Sequence, residues 1–343
     1  MTRWAKSISF WRWTSQWAFF TLLVYGAFIF PRPLETGFLP ETKAPAGAPS
    51  TTRFDRSAIL WASDNPPRID AYPPSAVCRF NPKGGMFKAC VLHFLSENFT
   101  WGTHWKYLLP HLAFFVVLAG LFGRLWCGWA CPLGTIGDSL CWLRKRMGMD
   151  HVKFGASAQR TLKISNYLIL GFALGLSALI FLPFLGFCRD ELFLPYCQVC
   201  PGRLVFPLCG GTVPNWKDFS TPLYGVFTVL GWGFAGLFVL AFFTGKNVWC
   251  RLCPIGTFTA FFNRGGGAGL HKDQSKCSSC GVCADACPVA SLKVLEDKKG
   301  GDISHADCIM CLRCVEMCPK DGCLKFKLLG MKLAESSFKP AAG

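Results

Sequence analysis

Two stretches near the C-terminus repeat one spacing of cysteines, Cys277-x2-Cys280-x2-Cys283-x3-Cys287-Pro288 and Cys308-x2-Cys311-x2-Cys314-x3-Cys318-Pro319. Thiolates this closely spaced let three sulfurs from one loop reach three corners of a cubane, while the fourth crosses to the neighbouring cluster. The expected ligand sets are Cys277, Cys280, Cys283 and Cys318 for one [4Fe–4S] cluster, and Cys308, Cys311, Cys314 and Cys287 for another. Thiolates also bind zinc. The doubled spacing, each run closed by Cys-Pro, favours the two-cluster ferredoxin reading and one-electron chemistry.

A second pair of cysteine motifs lies upstream. Gly123-Arg124-Leu125-Trp126-Cys127-Gly128-Trp129-Ala130-Cys131-Pro132-Leu133-Gly134-Thr135 is echoed by Gly245-Lys246-Asn247-Val248-Trp249-Cys250-Arg251-Leu252-Cys253-Pro254-Ile255-Gly256-Thr257. Each follows an apolar stretch. Pro and Gly after the second cysteine turn the chain and expose backbone N–H groups able to hydrogen-bond cluster sulfur. Three readings compete for Cys127, Cys131, Cys250 and Cys253: one further [4Fe–4S] cluster, redox-active dithiols, or cysteines with no cofactor.

Further cysteines fall in segments expected on the outer face. Cys188, Cys197, Cys200 and Cys209 include a Cys-x-x-Cys-Pro run and supply enough ligands for one more [4Fe–4S] cluster. The alternative is disulfides, the usual state outside the cytoplasm; Cys78 and Cys90 read either as such a bridge or as further ligands. Cys141 and Cys323 read as packed thiols. His104 and His111 share a helix face and can serve a haem or quinone, although an interfacial histidine is the plainer reading. Asp190 and Glu191 read as solvated loop acids, and Arg124 as a side chain reaching the headgroups. No Cys-x-x-Cys-His haem motif or phosphate-binding Gly motif occurs.

These residues need elements to position them. The chain has 343 residues, 51% hydrophobic, with mean hydropathy +0.31. That excludes a plain soluble ferredoxin and points to a membrane part. About four spans are expected, near residues 11–30, 107–126, 164–187 and 223–243, each close to the roughly 20 residues that cross a bilayer. The first is read as a retained anchor. The fold class expected is therefore membrane α-helical with a C-terminal α+β two-cluster ferredoxin domain. Five segments are expected: an anchor over 1–31, an outer loop region over 32–104, a redox membrane domain over 105–264, the ferredoxin domain over 265–326 and a poorly ordered tail over 327–343. Gly265-Gly266-Gly267-Ala268-Gly269 reads as a flexible joint.

The formal net charge of +16 is spread as positive-inside flanks rather than as a nucleic-acid stripe. Arg144, Lys145, Arg146, Lys153, Arg160 and Lys163 gather between the second and third spans. The N-terminus, that loop and the ferredoxin domain are accordingly expected on the cytoplasmic side of a multi-pass protein.

This combination resembles the NapH/MauN-type membrane ferredoxin subunits, and the membrane part of NosR-type proteins is similar. The likeness covers about residues 105–325 and rests on the junction of the double ferredoxin run with Trp126-Cys127-Gly128-Trp129-Ala130-Cys131-Pro132 and Cys250-Arg251-Leu252-Cys253-Pro254. The second motif has two residues between its cysteines where the family usually has three. The resemblance implies a quinol dehydrogenase-like electron-transfer subunit in the bacterial cytoplasmic membrane. It would work between a quinol or cytoplasmic carrier and a periplasmic oxidoreductase or cytochrome, with quinone as a further ligand. A maturation factor or a redox sensor supporting a partner metalloenzyme is the rival expectation.

Overall fold

The structure, a computed structural model, describes residues 7–29, 90–101, 105–150, 156–180, 195–209, 219, 221–245 and 247–337. Its helical part runs twice through one order of elements. The first pass is α1 (Ile8–Ile29), α2 (Val91–Trp101), α3 (Trp105–Phe122), α4 (Leu125–Trp129) and α5 (Pro132–Arg146). The second is α6 (Ala156–Ile180), the short pair α7 (Pro195–Val199) and α8 (Gly202–Cys209), α9 (Pro222–Thr244), α10 (Trp249–Leu252) and α11 (Pro254–Ala260). α1 packs on α4 and α5 as α6 packs on α10 and α11. The repetition therefore extends well beyond the short motifs from which the sequence announces it.

Capping explains several boundaries. Thr221 accepts a hydrogen bond from the Tyr224 amide at 3.3 Å and Pro222 opens α9, a favoured N-terminal pairing. At the other end Arg144 donates to the carbonyls of Phe242 (3.1 Å) and Gly245 (3.0 Å), placing a cation on the negative helix end. α3 stops at Gly123, whose φ of +51° turns the chain, and Asn263 Oδ1 accepts from the Arg124 amide at 2.7 Å. The Gly267 amide caps the Gly120 carbonyl of α3 (2.8 Å), so each long helix is capped from a distant part of the chain.

Two helices, over Ser157–Leu179 and Pro222–Phe243, are long and apolar enough to cross a membrane, and α3 is apolar over Leu109–Phe122. Their outward residues, among them Leu168, Phe172, Val229, Leu237 and Leu240, are exposed. Two of the four expected spans thus meet the length and composition of a membrane helix among the described residues. α1 departs for a reason: Arg12 and Gln16 are buried. Arg12 pairs with Asp138 of α5, which also accepts from Gln16 (2.9 Å) and Asn247 (2.9 Å).

The C-terminal lobe carries β1 (Ala268–Lys272), α12 (Val282–Ala286), α13 (Lys293–Glu296), β2 (Gly301–Asp302), α14 (Arg313–Met317), β3 (Leu324–Leu328) and β4 (Met331–Glu335). The strands form an antiparallel sheet in the order β2-β1-β3-β4. Ala268, Leu270, Val294, Met310, Val315, Leu324 and Phe326 fill its core.

Several expectations change. The segment 327–343, expected to be a loose tail, contributes β4, which pairs Phe326 with Ala334. The outer region 32–104, expected to be irregular, contains α2, whose Val91, Leu92 and Leu95 are buried against Phe115 and Leu170. The glycine-rich segment is packed, not jointed. The Gly267 amide donates to the Gly120 carbonyl (2.8 Å), and a Cβ at Gly266 would lie 2.4 Å from the Phe262 carbonyl oxygen. Glycine is needed there because backbone meets backbone. Arg124 and Arg144 were expected at the membrane surface. Both are buried, because their guanidinium groups satisfy inward-facing carbonyls.

Candidate functional site

The Cys-Pro cysteines of the two upstream turns and the two ferredoxin runs share one backbone conformation. Cys131, Cys253, Cys287 and Cys318 have φ of −74°, −71°, −68° and −71° with ψ of 118°, 117°, 120° and 121°. Proline forces this extended geometry on the residue before it. In the upstream motifs the cysteine opens a helix. In the C-terminal lobe it closes one. A single local rule therefore presents four sulfurs at helix ends in two different settings.

In the C-terminal lobe, one cavity is lined by Cys277, Cys280, Cys283 and Cys318, with Lys272 and Cys323 beside them. The partners come from both runs, as crossed ligation requires. The other set gathers likewise. Burial pushes the Cys308 thiol up to about 12, with Cys311 and Cys287 adding to the rise. Burial also raises Cys314 well above the ordinary value, reinforced by Cys311, Cys308 and Cys287. Amide hydrogens reach the sulfurs: Met310 N donates to Cys308 Sγ (3.4 Å) and Ser291 N to Cys287 Sγ (3.5 Å). The turns repeat too, with positive φ at Ser279 and Gly281 in one loop and at Met310 and Leu312 in the other.

The upstream cysteines converge as a second group. Burial drives Cys131 up to about 12, with Cys127 contributing. Cys250 is raised by burial and then by Cys131 and Cys127, and Cys253 by burial and then by the same two. The amides of Gly134 and Leu133 favour negative charge on Cys131, and that of Gly256 on Cys253. Arg124 lies against this group. Burial opposes its charge, yet Cys127, Cys250 and Cys253 outweigh that and hold it above its ordinary value. Its Nη2 donates to the Cys250 carbonyl and its Nη1 to that of Ala306, both at 2.6 Å. A Cβ at Gly256 would sit 2.6 Å from this guanidinium.

Buried thiols with raised pKa stay protonated unless a cation meets them. Such sulfurs, with inward amides beside them, fit an iron–sulfur cluster, whose irons supply the positive charge. Among the described residues no three His, Cys, Asp or Glu side chains stand close enough to hold one metal ion. Sulfurs around a cubane are spaced more widely, one per iron, so these groups suit a cluster better than mononuclear zinc.

The two groups touch. Cys250 and Cys311 share a buried patch with Val289 and Ile309, and Cys127 and Cys287 pack against it. A Cβ at Gly128 would lie 2.4 Å from the Ile309 carbonyl oxygen. Trp129 Nε1 donates to the Met310 carbonyl (3.0 Å), and Asn263 Nδ2 to those of His305 (2.9 Å) and Cys308 (2.7 Å). Glu316 accepts from Ser7 and Ser9 at the start of α1. The C-terminal lobe is thus clamped on the helical part at three places.

Cys200 stands close enough to Cys131 and Cys253 to oppose their ionisation. The Gln198 carbonyl oxygen would lie 3.3 Å from a Cβ at Gly231, midway along α9. α8 packs Phe206, Val205 and Cys209 against Leu133, Phe238 and Trp249. The segment expected as an outer loop folds into the helices because its apolar side chains find partners there. Cys78, Cys188, His104, Asp190 and Glu191 lie outside the described residues, so the proposed Cys78–Cys90 bridge does too. His111 is buried against Phe94 of α2, deeper than an interfacial histidine. Cys141 donates to Asn247 Oδ1 (3.3 Å), and Cys323 is buried in the lobe core.

Comparison with known proteins agrees with this donor chemistry. A family model described as "4Fe-4S binding domain" matches residues 111–150 and 225–272, and one described as "4Fe-4S dicluster domain" matches residues 270–319. The ferredoxin-type protein NapH of Escherichia coli (strain K12) is 28% identical over 216 residues, covering 60% of this chain and 63% of that protein. NapH of Haemophilus influenzae is 28% identical over 214 residues, covering 58% and 61%. The methylamine utilization ferredoxin-type protein MauN of Methylobacillus flagellatus is 28% identical over 190 residues, covering 50% and 52%. The matched part thus spans less than two thirds of each of these relatives. No solved structure matches. The chain thus carries 4Fe–4S ferredoxin-type domains and is similar to the ferredoxin-type proteins NapH and MauN.

Proposed function

We propose that the chain is a multi-pass subunit of the bacterial cytoplasmic membrane that relays single electrons. They would pass between a quinol or cytoplasmic donor and a periplasmic redox partner such as an oxidoreductase or cytochrome. Its N-terminus and ferredoxin lobe face the cytoplasm. That reading is supported by the clamping of the α1 start to the lobe through Glu316 and by the two helices apolar enough to span. The hydrocarbon is about 30 Å thick, so the path needs stepping points within it.

The carrying observation is the position of Cys127, Cys131, Cys250 and Cys253 between the ferredoxin loops and Cys200. The first four are proposed to hold one [4Fe–4S] cluster. Cys277, Cys280, Cys283 and Cys318 hold a second, and Cys308, Cys311, Cys314 and Cys287 a third. Cys188, Cys197, Cys200 and Cys209 are the candidates for a fourth. When bound, each cluster accepts and releases one electron. The chain sets the conditions for that: Gly134, Leu133 and Gly256 amides favour negative sulfur, Arg124 offsets the added charge, and burial keeps water out.

Iron and acid-labile sulfide are counted on the purified full-length protein, with EPR after stepwise reduction. About twelve or sixteen irons are expected, at four per cubane. About eight would reduce the protein to a tethered ferredoxin and end the relay through the helices. Reoxidation of the reduced clusters by a quinone analogue then tests the membrane partner.

A further inference from the structure

The two ferredoxin runs share one spacing of cysteines but not one setting. Lys272 stands five residues before Cys277, and Ile303 stands five before Cys308. Ile303 packs in the apolar core of the lobe. Lys272 lies on the inward row of β1 with Leu270 and is 5% exposed. A buried ammonium is costly unless its charge is met. Its Nζ donates to the carbonyls of Asp297 (2.7 Å), Val294 (3.0 Å) and Leu295 (3.5 Å). These fix the ammonium in place and leave its charge uncancelled. Among the described residues no carboxylate pairs with it. Lys272 instead lines the cavity of Cys277, Cys280, Cys283 and Cys318.

We propose that Lys272 makes the cluster held by these four cysteines the first of the ferredoxin pair to accept an electron. The inference rests on the cluster assignment given above. The electron comes from an external one-electron donor, which is oxidised. No bond forms or breaks and no proton moves, so the cluster site gains one negative charge. A fixed cation beside it favours that reduced state. The field of Lys272 reaches the sulfurs. Burial opposes charge on Cys277, but the Ser279 amide and then Lys272 outweigh it and hold the thiol below its ordinary value. Burial raises Cys283, against the Ala284 amide and Lys272. Lys320, also in the lining, is exposed and is screened by water and salt. The other set stands differently. Its Cys287 and Cys311 pack beside Cys127 and Cys250, so an added electron there meets a second group of sulfurs. Burial raises Cys308 and Arg124 works against it, but that guanidinium is shared with Cys127, Cys250 and Cys253. Cys280 is exposed, whereas Cys311 at the matching place of the second run is buried. The first electron therefore rests on the cluster that a soluble carrier can reach.

The test is a dithionite titration of the purified full-length protein, followed by EPR, with iron counted on each sample. In the unaltered protein the two ferredoxin clusters should be reduced in separate steps. Lys272→Gln keeps an N–H donor for the carbonyls and removes the charge. At a fixed potential it should lower the reduced-to-oxidised ratio of the first-reduced ferredoxin cluster about tenfold. That is the order for one unit charge close to the ligand sulfurs at an effective dielectric constant near 20, and it equals about 59 mV for one electron. The other ferredoxin cluster should move far less, and Lys272→Arg should restore the first step. Cys280→Ser, a ligand change on the Lys272 side, should alter the first-reduced signal. A single unresolved step in the unaltered protein, or an unmoved first step in Lys272→Gln with its iron retained, would overturn the proposal. A Cys280→Ser protein altered only in the later signal would overturn it too, whatever the fate of Lys272→Gln. Fewer than about eight irons in the unaltered protein, at four per cubane, would instead strike the ferredoxin assignment itself.

Discussion

The two Cys-Pro turns of the helical part are built alike and surrounded differently. Cys131 and Cys253 adopt the same backbone angles before proline, yet the residue after the first cysteine is Gly128 in one and Arg251 in the other. Gly128 lets the Ile309 carbonyl come against the backbone, so the first turn is a docking face for the ferredoxin lobe. Arg251 fills the matching place with charge and lines a cleft with Lys163 and Thr257, while Cys250 beside it packs on Ile309 and Cys311 of the lobe. Duplication thus supplied two pairs of sulfurs, while unlike neighbours gave each turn its own contact with the lobe: the first meets it backbone to backbone, the second through a buried cysteine beside a charge.

The largest effect is expected at the buried ion pair that joins α1 to α5 beside the first turn. Asp138→Ala leaves Arg12 buried without its partner and strips Gln16 and Asn247 of an acceptor. A loss of about 3–5 kcal/mol is expected, as for one member of a buried pair, read as a fall in the melting temperature of the detergent-solubilised protein. Replacing both members, Arg12→Met with Asp138→Leu, should recover much of that loss. A double variant as unstable as the single one would mean that the pair is not the cause.

Next in size is the docking face itself. Gly128→Ala places a Cβ where the Ile309 carbonyl lies, and overpacking of this kind costs about 1–3 kcal/mol. The lobe must back away, so electron exchange between the ferredoxin clusters and the upstream group should slow in freeze-quench EPR. Arg251→Ala, at the matching position, should leave that exchange less affected. Equal slowing in both variants would erase the distinction between the turns.

How far the sequence foretold this arrangement depends on the kind of residue. The ferredoxin cysteines stand out as candidates because ligand spacing is a local property, and Cys277, Cys280 and Cys283 of one run line a cavity with Cys318 of the other. The upstream motifs were legible as a repeat, but not the extent of the duplication, because α2 and the α7–α8 pair share no pattern. Polar residues misled. Arg12 falls within the first expected span, where no nearby residue announces a partner, and Arg124 and Arg144 read as surface charge. Each is buried against a carboxylate or carbonyls supplied from far along the chain, which no window of sequence reveals. The glycine run misled in the same way: composition reads it as flexible, whereas Gly266 and Gly267 are small because the backbone of α3 passes beside them.

A smaller effect sharpens the capping of α9 by the first half. Arg144→Met removes the cation from the end of α9 and leaves the Phe242 and Gly245 carbonyls without it. A loss of about 1–2 kcal/mol is expected, within the range for a partly buried charge at a helix C-terminus. Lys145→Met, one residue along and more exposed, should change the melting temperature far less. Similar losses from both would point to general loop charge rather than to the cap.

The smallest expected effect lies where the lobe meets the second half. His305 holds the docking loop through Nδ1 against the Ile303 carbonyl (3.1 Å) and Nε2 against Ser291 Oγ (2.6 Å). Burial lowers its pKa, and neighbouring Lys293 works in the same direction. The folded state therefore resists protonation more than the unfolded chain does. Its contribution is fully present above the ordinary histidine value near 6.5 and is lost as pH falls from there toward the lowered folded value. Stability of the cluster-loaded protein should accordingly decline in that window, and His305→Gln should flatten the decline while keeping a hydrogen-bonding side chain. A decline that persists unchanged in His305→Gln would assign the acid sensitivity to the sulfurs themselves, and the loop would then hold its place by Asn263 and Trp129 alone.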